Sequence, residues 1–98
     1  MGVKVIVPVP LRQYTEKQDT VVVEGRTVGE VLRNLATRYD ALRKHLYSED
    51  GKLRSFVNIY RNDEDIRYLE REKTPVAETD VLSIVPSIAG GSGLLQTR

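Results

Sequence analysis

The sequence predicts a two-layer α+β domain, one mixed sheet of four to five strands with one main helix packed across one face. Three observations carry that expectation. Short runs of β-branched residues alternate in period two near both ends of the chain. One long apolar stripe at helical spacing lies between them. The order strand, strand, helix, strand, short strand, strand holds too few helices for a doubly wound sheet.

The first strand spans residues 3–9, with Val3, Val5, Val7 and Val9 inward and Lys4, Ile6 and Pro8 outward. Residues 10–18 are polar and turn-like. A second strand over residues 19–24 points Val21 and Val23 inward and closes a hairpin with the first. Gly25 breaks it, and Thr27-Val-Gly-Glu30 reads as a capping box: the Thr27 hydroxyl accepts from the Glu30 amide, and the Glu30 carboxylate accepts from the Thr27 amide. Val28, Val31, Leu32, Leu35, Ala36 and Tyr39 then form one stripe of an amphipathic helix, with Arg33, Asn34 and Arg38 facing water. Asp40 is expected to cap a shorter helix that carries Leu42 and Leu46 and ends before an Asp50-Gly51 turn.

Residues 56–61 make the third strand, with Val57 and Ile59 on one face and Phe56, Asn58 and Tyr60 on the other. A turn at Asn62-Asp-Glu-Asp65 leads to a short return strand at residues 66–68. Thr74-Pro75 is a place for a single helical turn, since proline suits the first helical position. The last strand, Val81 to Val85, is closed by Pro86, which cannot donate to a ladder. Placed beside the first strand at the centre of the sheet, it completes a β-grasp, the topology of ubiquitin. Residues 1–88 then form the domain and residues 89–98 a flexible tail.

Composition excludes several function classes. The 98 residues suffice for one domain and one core. A net charge of +1, with cations spread along the chain, does not suggest a nucleic-acid binder. Without cysteine there is no disulfide, no thiolate metal site and no cysteine nucleophile. The first residues lack the features of a signal peptide and no run is long enough to span a membrane, so a cytoplasmic protein is expected. His45, the only histidine, is expected on a solvated helical surface, and Asp63-Glu64-Asp65 is expected to be a turn rather than a Ca²⁺ loop. The outward sheet face would show Ile6, Phe56, Tyr60 and Val85, four apolar side chains that together suit a partner-docking patch.

Beyond Pro86 the chain runs Ser87-Ile-Ala-Gly-Gly91 and continues through Ser92 to Arg98. Adjacent glycines carry no Cβ, so Gly90 and Gly91 can enter a channel too narrow for other residues. The element order, the phrase from Phe56 to Arg67 and the ending Ile84-Val-Pro-Ser-Ile-Ala-Gly-Gly91 together resemble the MoaD/ThiS sulfur-carrier family, above all its actinobacterial members that serve cysteine synthesis. The resemblance covers residues 3–91. It implies a carrier rather than an enzyme, with no cofactor and no metal of its own. Its implied partners are a ubiquitin-activating-type adenylating enzyme that binds the ATP, a sulfur-accepting synthase and a zinc-dependent processing protease. Gly91 would be the terminus that is adenylated and converted to a thiocarboxylate, with Gly90, Ala89 and Ile88 giving access to the partner's channel. The seven residues after Gly91 depart from the pattern, because they hold its carbonyl in an amide. Cleavage between Gly91 and Ser92 is therefore expected to precede activation. Two alternatives stay open: a protein modifier conjugated through Gly91, and a non-covalent β-grasp interaction module.

Overall fold

A computed structural model describes residues 2–86 of the chain. β1 (Gly2–Ile6) and β2 (Thr20–Glu24) form an antiparallel hairpin with Val3 opposite Val23 and Val5 opposite Val21. α1 (Val28–Arg38) and the shorter α2 (Asp40–Leu46) follow. β3 (Val57–Arg61) turns into the two-residue β4 (Glu64–Asp65), and β5 (Val81–Pro86) ends the described chain. The strand order is β2-β1-β5-β3-β4. The last strand pairs parallel with the first and antiparallel with β3, so it lies at the centre of a mixed five-stranded sheet. This is the β-grasp arrangement that the sequence predicts.

The core follows from the two periodicities. Val3, Val5, Val21, Val23, Val57, Ile59, Leu82 and Ile84 point from the strands into the layer covered by Val28, Val31, Leu32, Leu35 and Ala36 of α1. Leu42 and Leu46 extend it under α2 and have no exposed surface. The cap of α1 is half as expected. The Thr27 hydroxyl accepts from the Glu30 amide at 3.2 Å, but the Glu30 carboxylate accepts from the Arg26 amide at 2.8 Å rather than from Thr27. Thr27 pairs instead with Pro75 in an isolated bridge, flanked by Val28 N–H donating to the Thr74 carbonyl and Val76 N–H to the Arg26 carbonyl.

Other expectations are corrected. β1 stops at Ile6, and Val9 is 70% exposed rather than inward. Pro8 and Pro10 flank the start of a 3₁₀ turn over Val9–Tyr14 that leaves the sheet and buries Leu11 instead. Asp40 sits inside the first turn of α2 and forms only an exposed pair with Arg43, so Tyr39 is the cap residue. Ile66–Tyr68 is a 3₁₀ turn and not a strand, because the Asp65 carboxylate accepts from the Arg67 amide and closes the backbone there. The third such turn spans Arg71–Lys73 and ends at Thr74, one residue before Pro75, rather than beginning there. His45 is half-buried with its ring stacked 4.4 Å from that of Tyr14, and its Nε2 is buried, so it is not the solvated residue expected.

Candidate functional site

β5 is the last described element and ends at Pro86. Leu82 and Ile84 anchor it in the core, while Val81, Ser83 and Val85 point to the outer face. Its first residue is clamped by Asn62, whose backbone N–H donates to the Val81 carbonyl at 2.7 Å. The Asn62 side chain accepts from Val81 N–H at 3.1 Å and donates to the Asp80 carboxylate at 3.1 Å. Asn62 holds a left-handed backbone (φ 58°), which asparagine tolerates better than most residues. At the other end Pro86 lies opposite Val57. Ile88, Ala89, Gly90, Gly91 and Ser92, the expected reactive end and cleavage point, lie outside the described residues.

On the outer face Ile6, Tyr60 and Val85, three of the four expected apolar residues, share one surface, while Phe56 lies in the turn just before β3. Ile6 lies opposite Ser83, which lies opposite Tyr60, and Val85 lies in the next row opposite Asn58. Ile6, Phe56 and Val85 are 40%, 43% and 44% exposed, while Tyr60 is half-buried. Val22, 54% exposed, extends the surface onto β2 as a diagonal neighbour of Ile6. It belongs to the same patch although the sequence reading omitted it; its alternation with Val21 and Val23 was the available signal. The guanidinium of Arg54 lies 5.9 Å from the centre of the Phe56 ring, while its Nε donates to the Lys44 carbonyl at 2.7 Å. A cation thus borders the apolar surface.

Electrostatics around the site are structural in character. Asp65 is buried and accepts from Arg67 Nη2 at 2.7 Å and Nε at 3.2 Å, and these bonds hold its carboxyl below the usual carboxylate range. Asp80 is lowered by accepting from the Ala77 amide and then from Asn62. Burial pushes the Tyr47 phenol up, against the opposing influence of Arg33. Among the described residues no group of three or more histidines, cysteines, aspartates or glutamates could hold a metal ion. No described helix is long and apolar enough to cross a membrane.

A family model described as the ThiS family matches residues 5–91, from the first strand to the second glycine of the pair. The chain belongs to the ThiS family. It is 41% identical over 93 residues to the sulfur carrier protein CysO of Mycobacterium tuberculosis, covering 93% of this chain and all of the relative. It is 37% identical over 70 residues to small archaeal modifier protein 3 of Haloferax volcanii, covering 71% of this chain and 75% of the relative. Among solved structures, it resembles the crystal structure of the Amycolatopsis orientalis BexX/CysO complex (TM-score 0.81, 36% identity, 91% of this chain and 99% of that one). It also resembles the crystal structure of Mycobacterium tuberculosis CysO (TM-score 0.79, 39% identity, 88% and 99%). These ThiS-family relatives are small carriers and modifiers of β-grasp fold, and the chain is a protein of that kind and not an enzyme.

Proposed function

We propose that this ThiS-family protein is a sulfur carrier in precursor form, serving the synthesis of cysteine or another sulfur-containing metabolite in the cytoplasm. The observation that carries the reading is where the family match stops: it ends at Gly91, and Ser92 to Arg98 follow. The CysO relatives support the carrier role.

The chemistry needs a free carboxyl group. A zinc-dependent protease would hydrolyse the Gly91–Ser92 bond, leaving a carboxylate on Gly91. On an adenylating enzyme of the ubiquitin-activating type, a carboxylate oxygen attacks the α-phosphorus of ATP and pyrophosphate departs. A sulfur nucleophile then attacks the acyl carbon of the adenylate, AMP departs, and a thiocarboxylate remains for a sulfur-accepting synthase. The partner supplies the metal ion and the positioning. This chain supplies a tail (Ile88, Ala89, Gly90) slim enough to reach a buried nucleotide, and the outer patch of Ile6, Phe56, Tyr60 and Val85 for docking.

The test is mass spectrometry of the 98-residue chain and of residues 1–91, each with ATP and the adenylating enzyme. We expect an acyl-adenylate only on the shorter chain and, with a sulfur donor, the mass gain of one oxygen replaced by sulfur. Efficient activation of the intact chain would sink the precursor reading. The archaeal modifier relatives favour a second reading, conjugation of Gly91 to lysines of other proteins. Ladders of Gly91-linked species on a denaturing gel distinguish it from a carrier.

A further inference from the structure

A cleft of about 420 Å³ is lined by residues that the outer patch does not include. Its floor includes the buried Val57 and Ile59 of β3. One wall is the segment 51–55, the other the two 3₁₀ turns between residues 65 and 72. Five cationic side chains line it, Arg33, Lys52, Arg54, Arg67 and Arg71, against the carboxylates of Asp65 and Glu72. Asp65 is already bonded to Arg67. On a chain of formal net charge +1, this is a concentration of positive field in one concave place.

We propose that this cleft docks an acidic segment of the protein that receives the tail; it rests on the carrier reading only for the identity of that protein. Two features tie the cleft to the tail. Val57, which lines it, lies opposite Pro86, the last described residue. Arg54 lines the cleft and also lies against Phe56, joining the cationic surface to the apolar patch. An apolar centre bordered by charge is how protein interfaces are built. A third feature is Arg71, which lines the cleft from a left-handed backbone (φ 54°) that a side chain adopts at a cost. The cations come from α1, from segment 51–55 and from the turns, and Arg33, Lys52, Arg67 and Arg71 are exposed. That spread suits several carboxylates on a macromolecule better than one small anion, which needs donors converging on a point.

The experiment is an NMR titration of the full 98-residue chain with a blocked hexapeptide of alternating glutamate and leucine. We expect shifts confined to Arg33, residues 52–59, Arg67 and Arg71, and their loss when salt is raised from about 50 to about 300 mM, where exposed charges are screened. The double variant Lys52→Glu, Arg71→Glu should weaken the peptide roughly tenfold or more, since like charges then face each other. The same variant, placed in residues 1–91, should raise the KM for adenylation with kcat within about twofold, as a docking defect does. Equal shifts from the lysine–leucine isomer overturn the proposal. So does saturation of the same residues by inorganic phosphate, which marks a small-anion site, or tighter binding of a thymidine hexanucleotide, which marks a nucleic-acid surface. If residues 1–91 are not adenylated at all, the carrier reading fails, and the peptide titration still decides the cleft.

Discussion

Asp65 shows how one side chain both shapes the backbone and adds to the acid sensitivity of the domain. Its carboxylate accepts from the Arg67 amide at 2.9 Å and from the Arg67 guanidinium, so it stops β4 after two residues and starts the turn that walls the cationic cleft. Its folded pKa is held below the unfolded value of about 3.9, so its contribution to stability is present above that value and lost as pH falls through the folded one. We expect the urea midpoint to be level from about pH 8 to about pH 5 and to fall below about pH 4. Asp65→Asn should lower the plateau and flatten the acid fall, so that the two curves converge; parallel curves down to about pH 2 would contradict this role. The sequence shows an Asp-Glu-Asp run suited to a turn, but not that its last member is buried against an arginine two residues on. That depends on which residue the β3–β4 hairpin turns inward.

At the scale of elements, the start of α1 is the best test of how local signals and packing divide the work. The Thr27 hydroxyl satisfies the Glu30 amide, and Thr27→Ala should cost about 1 kcal/mol while Thr27→Ser costs much less. Gly25 is there for a different reason. A Cβ at that position would lie 2.6 Å from Val31 Cγ2 and 2.8 Å from the Val31 nitrogen, on a backbone with φ near +154°. Gly25→Ala should therefore destabilise by roughly 2 to 4 kcal/mol, read from urea unfolding; a loss under about 0.5 kcal/mol would show that the strand-to-helix turn can relax. The helix stripe, the alternation within each strand and the capping threonine are legible because each is written within about four residues of itself. The 3₁₀ turns are not, since they form where prolines and capped carboxylates divert a chain that still has to bury Leu11 and Ile66.

For the whole molecule, the described core runs from Val3 to Ile84. Deleting 92–98 should accordingly change unfolding free energy by less than about 0.5 kcal/mol while it switches activation on, which separates folding from chemistry in one comparison. A large loss of stability would mean that the extension packs on the domain. What the sequence by itself determined was the inventory: two hairpin strands, one amphipathic helix, a central closing strand and a diglycine at the end of the family match. Period and composition encode these because each strand or helix needs one apolar face. Only the tertiary structure decided what lies side by side. Pairing β5 with β3 brings Val57 to Pro86, and packing the 65–72 turns against segment 51–55 and α1 gathers arginines from distant parts of the chain into one cleft. Such juxtapositions depend on strand register and crossing elements, and no window of neighbouring residues contains them.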